Sequence, residues 1–250
     1  MTAVASLLQR ELRRLAPYAL AVTLVAATAL VASLLGRRWL GSAAVGFAPL
    51  TWLALGLAVA VPDTQSGGAA FLARLPVAGR QLTSLRLAAL AACALPGLAL
   101  VALTPALGPA PRASHGPGFP DAVGLDLLAL GAGALASSMA RTTISAVLLG
   151  LVALLGGALA VSVALPLEVV LESGGVAACL GLLWLVTAAR TVHLGELHRQ
   201  SSRPVALGLA GVATSVALLV GGSVAVHLEL QGDPAAYDPP ARRAAREAGQ

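Results

Sequence analysis

The sequence predicts an all-α integral membrane protein: a polytopic bundle of about seven transmembrane helices, six being possible, with an N-terminal amphipathic interfacial helix. Three observations predict it. The chain is 58% hydrophobic and 11% charged, whereas a soluble domain is about a quarter charged. Seven apolar stretches recur, at residues 17–35, 40–61, 85–107, 122–139, 144–165, 169–189 and 204–226. Each is near or above the roughly 18 to 20 residues that a helix needs to cross about 30 Å of hydrocarbon. Finally, no polar stretch is long enough to build a soluble core. Hydrocarbon offers the backbone no hydrogen-bond partner, so the stretches are expected as helices packed in a bundle.

Residues 1–16 form the interfacial element. Val4, Leu7, Leu8, Leu12 and Leu15 are placed on one face, with Arg10, Glu11, Arg13 and Arg14 on the other. Apolar spacing of three and four with arginines opposite suits a helix lying in the interface. A simple extension of the first span into the cytoplasm is the alternative. The transmembrane domain covers 17–230, with a cytoplasmic loop at 62–84 and a disordered polar tail at 231–250. The outer loop at 108–121 holds Pro109, Pro111, Pro117 and Pro120 among three glycines, so it is expected to be irregular. The sixth span is interrupted by Glu172.

Orientation follows from arginine, because the chain contains no lysine. A cytoplasmic N-terminus places Arg10, Arg13, Arg14, Arg74, Arg80, Arg86, Arg141, Arg190, Arg199 and Arg203 inside. It leaves Arg37, Arg38, Arg112, Arg242, Arg243 and Arg246 outside. The excess lies inside, as positively charged cytoplasmic loops require. Trp39 fits an anchor at the outer surface. The expected location is the inner (plasma) membrane of a bacterium. No cleavable leader is expected, because the first apolar run lacks a cleavage site and is long enough to span. The net charge of +5 is scattered between spans, which favours topology over nucleic-acid binding as its explanation.

Catalytic chemistry finds little to stand on. A phosphate-binding loop needs its lysine, and HExxH and GxSxG are both absent. The four histidines fall in loops or at span ends. The sequence therefore predicts no enzyme, no metal and no cofactor in this chain, and disfavours an intramembrane hydrolase. Cys93 and Cys179 lie inside apolar stretches and read as small buried hydrophobes. Asp126 and Glu172 are the carboxylates within spans; both read as solvated groups near the outer interface rather than as proton carriers. Gly131 and Gly133, Gly156 and Gly157, and Gly208 and Gly211 are expected to let helices approach closely.

The inside loop runs from Asp63 through Phe71, Leu72, Ala73, Arg74, Leu75, Pro76, Val77, Ala78, Gly79 and Arg80 to Leu82 and Arg86. A short helix with exposed Phe71, Leu72 and Leu75, stopped by Leu-Pro, is a plausible docking knob, and Arg74 and Arg80 could pair with acidic groups or lipid headgroups. This segment resembles the cytoplasmic coupling segment of type-2 ABC-transporter permeases. In that family a glycine-containing stretch leads to a short helix ending in Leu-Pro, followed by basic residues and an apolar helix. Residues 136–146, with Arg141, are similar to the turn joining that family's fourth and fifth spans. The amphipathic N-terminal segment is similar to its elbow helix.

The resemblance covers residues 4–190. It implies a permease subunit of an ATP-driven transporter, more an exporter than an importer. A separate cytoplasmic ATPase would bind the ATP and magnesium and dock on Phe71, Leu72, Arg74, Leu75, Pro76, Arg80 and Arg86. A second permease subunit, identical or not, would complete the pathway. The chain departs from the family in three places. Asp63 lacks a basic partner before the glycine, the outer hairpin is reduced to 166–175, and a seventh span lies beyond the usual six. The rival reading is a helical membrane scaffold or assembly factor without transport activity.

The predicted topology is tested by labelling Ala78→Cys and Ala235→Cys separately in a chain lacking Cys93 and Cys179. The two cysteines are expected to react with a membrane-impermeant thiol reagent from opposite sides. Reaction from one side would remove either the seventh span or one before it.

Overall fold

The apolar stretches fold as helices. The computed structural model describes residues 3–36, 38–59, 79–107, 119–140, 142–163, 174–197 and 203–232. Seven α-helices fill them: α1 (Ala3–Leu34), α2 (Arg38–Leu57), α3 (Gly79–Leu107), α4 (Phe119–Met139), α5 (Thr143–Val163), α6 (Gly175–Leu197) and α7 (Arg203–Gly232). No strand occurs among the described residues. Five helices are long and apolar enough to cross a membrane, over Val4–Leu34, Ser84–Leu103, Ala122–Met139, Thr143–Val161 and Gly208–Ala225. In α2 and α6 the continuous apolar runs are shorter, Gly46–Leu57 and Gly175–Ala189. The chain is a multi-pass, all-helical membrane bundle.

The first helix includes residues 4–15 without a break. It runs unbroken through Pro17 for 32 residues, about 48 Å at 1.5 Å per residue. The amphipathic segment and the first apolar stretch are thus one continuous helix. Leu7 and Leu15 are buried against the bundle, and Glu11 is buried between them, only 2% exposed. The polar-face assignment of Glu11 is therefore corrected. Glu11 stands one turn from both leucines, and i, i+4 spacing places all three on one face. The helix stops at Gly36, whose φ of 66° lies in the left-handed region. There the Leu35 N–H donates to the Val31 carbonyl and the Gly36 N–H to the Ser33 carbonyl.

At the other end of the chain's middle, Thr142 caps α5. The Ser145 N–H donates to Thr142 Oγ1, and the Thr142 N–H donates to Ser145 Oγ, both at 3.2 Å. This reciprocal pair satisfies two donors that a helix start leaves free.

Burial singles out α4. Two thirds of its apolar window is buried, against a third or less in the other four long apolar helices. It packs between α2 and α6, and the packing is backbone on backbone. A Cβ on Gly133 would strike the Leu53 carbonyl oxygen of α2, and one on Gly56 would strike the Leu130 carbonyl oxygen of α4. On the opposite side, a Cβ on Gly131 would strike the Gly181 carbonyl oxygen, and one on Gly124 that of Gly174. The pairs 124 with 174 and 131 with 181 advance together along both chains, so α4 and α6 run parallel. The pair 56 with 133 and the Trp52–Asp126 hydrogen bond order α2 the same way.

Around this parallel trio, α1 covers α2, α3 packs on α1 and touches α4 and α6, and α5 and α7 cover the side formed by α4 and α6. Glycines again set the contacts. Gly157 of α5 faces the Trp184 ring, Gly208 of α7 faces Met139, and Gly211 faces Thr187. Gly156 departs from expectation, since its face meets nothing within 4 Å. Cys93 is buried as expected, but Cys179 is exposed on α6. Large aliphatic side chains such as Leu24, Ile144, Leu155, Leu159 and Leu218 point outward, as hydrocarbon solvent permits.

Lipid is as apolar as leucine, so these helices are held by close packing and interhelical hydrogen bonds. Trp184 Nε1 donates to Ser215 Oγ at 3.0 Å, joining α6 to α7. Thr191 Oγ1 donates to Ser138 Oγ at 2.6 Å, joining α6 to α4.

Gly131→Ala places a methyl group in backbone and is expected to destabilise the detergent-solubilised protein by about 1–3 kcal/mol. Gly156→Ala meets open space and is expected to be neutral or to gain up to about 1 kcal/mol of helix propensity. Thermal unfolding followed by circular dichroism distinguishes the two; equal melting temperatures would refute the backbone contact.

Candidate functional site

The sequence places its docking residues between α2 and α3. Phe71, Leu72, Arg74, Leu75 and Pro76 lie outside the described residues. Arg80 falls in the first turn of α3, which begins at Gly79, so residues 79–84 are helix rather than loop. Arg86 lies two turns into α3 and is 5% exposed. Its place is therefore the base of the bundle interior, not an exposed docking face.

One small cavity touches the end of α2 and the second turn of α3, on either side of residues 60–78. Val59, the last described residue before them, and Arg86, shortly after them, line the same cavity of about 20 Å³. Leu90 of α3, Ala134 of α4, and Leu185 and Ala188 of α6 supply further wall. The space suffices for about one water molecule. The first helix fastens this spot from outside. Arg14 donates from Nη2 to the Val59 carbonyl at 2.6 Å and pairs with Glu11 Oε2 at 2.8 Å. An arginine on a terminal carbonyl of α2 satisfies an acceptor that the helix end leaves open, and its charge suits that end. Glu11, Arg14 and the Val59 carbonyl thus tie α1 to the point where α2 leaves the bundle. Sequence reading had put Glu11 on the polar face and missed this cluster; the four-residue spacing from Leu7 to Glu11 to Leu15 is the signal that finds it.

A second polar position lies deeper. Asp126 occupies the third turn of α4 and is 2% exposed, which corrects its reading as a solvated interfacial group. Its carboxyl is hydrogen-bonded to the side chain of Trp52 on α2. Trp52 is itself 1% exposed. A Cβ on Gly97 of α3 would lie 3.2 Å from the Trp52 ring and also against Val22 of α1. The ring thus fills the space where α1, α2 and α3 converge, while its N–H serves α4. Glu172, the other carboxylate read from the sequence, lies outside the described residues. Among the described residues no group of three or more histidine, cysteine or acidic side chains could hold a metal ion.

Comparison of the chain with protein-family models, with curated proteins and with solved structures finds no match. The functional argument therefore rests on this chain's own residues.

Arg14→Met leaves Glu11 buried without that partner, and removing one member of such a pair costs about 3–5 kcal/mol. Thermal unfolding in detergent is expected to register a loss of that order. Adding Glu11→Gln to the same chain is expected to recover much of it. A single variant as stable as the parent would show that the pair contributes nothing.

Proposed function

We propose that this chain is the membrane-spanning permease subunit of an ATP-driven ABC transporter, working in export. A separate cytoplasmic ATPase binds ATP and magnesium and docks on residues 60–80. A second permease subunit completes the pathway, and the chain sits in the plasma membrane with its N-terminus in the cytoplasm. The chain itself performs no catalysis.

The observation that carries this reading is the convergence of Val59 and Arg86 on one cavity, with Arg14 fastened to the Val59 carbonyl. A segment held between α2 and α3 passes an applied force to the helices gathered at this cavity. Those helices are α1 through hydrogen bonding, α2 and α3 through the chain, and α4 and α6 through the cavity wall. A motor bound to the segment would thus push on the parallel trio rather than on a peripheral helix. The likeness of Phe71, Leu72, Leu75, Pro76 and Arg80 to the type-2 coupling segment points the same way, as does a sequence with no phosphate-binding loop. Arg86 belongs here to the receiving side: buried, it transmits, while Phe71–Arg80 makes the contact.

A few central apolar anchors dominate docking energies of this kind. Phe71→Ala with Leu75→Ala is expected to weaken association with the ATPase at least tenfold and to uncouple ATP hydrolysis from transport. Arg80→Glu is expected to weaken it more at low salt than at high salt. Co-purification from the native host measures both. Unchanged association, or no ATPase recovered with the parent chain, would leave a membrane scaffold as the better reading.

A further inference from the structure

The carboxyl of Asp126 has no role in docking a motor, and its burial calls for one. Ionisable groups at membrane depth are costly and characteristically mark substrate or ion pathways. Asp126 is 98% buried on the helix that packs between α2 and α6. The described residues bring it no basic partner. Arg86, the buried arginine, stands level with Ala134, eight residues further along α4, which is about 12 Å. What the bundle supplies instead is the Trp52 indole, hydrogen-bonded to the carboxyl. A carboxylate has about four acceptor positions, so one indole N–H leaves most of its capacity open.

We propose that Asp126 and Trp52 form a binding site for a lipophilic monovalent cation, an organic ammonium or its equivalent, between α2 and α4.

The chemistry of the pair selects that class. Asp126 offers the negative charge, and the Trp52 ring offers a π-face, the best of the aromatic surfaces for a cation. Around them the buried core is apolar, with Val22 and Gly97 against the ring, which a hydrated inorganic ion would find poor and an alkyl or aryl substituent would suit. The two helices approach closest at Gly56 and Gly133. Trp52 lies one turn before Gly56 and Asp126 two turns before Gly133, on the side toward the helix N-termini. In the closed bundle the indole occupies the site and its N–H satisfies part of the carboxyl. An arriving cation replaces that neutral hydrogen bond with an ion pair to the carboxylate, and the displaced ring packs against the ligand. The site names the substrate class of the proposed permease and rests on that reading for the word substrate; binding itself needs no ATPase.

The test uses the full chain purified in phospholipid nanodiscs, with tetraphenylphosphonium as the probe and empty nanodiscs subtracted. One saturable site is expected. Asp126→Asn is expected to weaken it at least tenfold and Asp126→Glu to keep most of the affinity. Trp52→Phe is expected to weaken it severalfold, whereas Trp184→Phe, the other buried tryptophan, leaves it unchanged. A second measurement stands if Asp126→Asn does not fold. In the parent chain, tetraphenylphosphonium is expected to protect Asp126 from a hydrophobic carbodiimide, read by peptide mass. No binding above empty nanodiscs, an Asn variant that binds like the parent, or carbodiimide labelling indifferent to the probe would each overturn the site. Labelling that responds to pH but never to the probe would overturn it too, in favour of a proton as sole occupant. Saturable binding by a chain that recovers no ATPase would support the site and overturn only the ABC reading.

Discussion

Everything in this bundle depends on how closely α4 can approach its neighbours. Its backbone touches that of α2 at Gly56 and Gly133 and that of α6 at Gly131 with Gly181 and Gly124 with Gly174. Inside hydrocarbon there is no hydrophobic gain from bringing helices together, so van der Waals contact and interhelical hydrogen bonds must do it. Close approach multiplies the first and makes the second reachable. It is also what makes a buried Ser138–Thr191 bond possible. Gly131 and Gly133, two residues apart, point to opposite sides of the helix and so serve both neighbours.

The remaining space is filled by two tryptophans that work alike. Trp52 lies against Gly97 and hydrogen-bonds Asp126; Trp184 lies against Gly157 and hydrogen-bonds Ser215. Each ring thus sits in a slot that a glycine on another helix leaves open, and each indole N–H finds a polar group on a third helix. An indole buried without such a partner would carry the cost of an unsatisfied donor. The arrangement lets a few large side chains bind together helices that otherwise present mostly alanine, leucine, valine and glycine.

Helix number and type were legible in the sequence because apolar length is a direct consequence of bilayer thickness, and all seven stretches are helices. Their inner details were less so. Gly131 and Gly133 could be named as contact residues, yet nothing in the sequence says that the partner of Gly131 is Gly181, because the pairing depends on which helices are neighbours. Asp126 was misplaced for the same reason: its distance along the span suggested an interface, but burial is decided by its position around the helix axis. Glu11 is different, since its spacing from Leu7 and Leu15 already carried the answer. Cys179 shows the converse limit, because an apolar surrounding sequence does not distinguish a bundle-facing position from a lipid-facing one. The docking residues Phe71 to Pro76 rest on sequence alone.

The parallel course of α2, α4 and α6 has an electrostatic consequence. A helix carries roughly half an elementary charge at each end, positive at the N-terminus and negative at the C-terminus. Three helices packed side by side in one direction add these ends rather than cancelling them. Arg14 reaches the Val59 carbonyl just past the negative end of α2, whereas Arg86 lies beside Ala134 and Ala188, inside α4 and α6. Arg14 is thus a counter-charge at that negative face, and it ties the first helix to the end of a group of dipoles that cannot cancel one another.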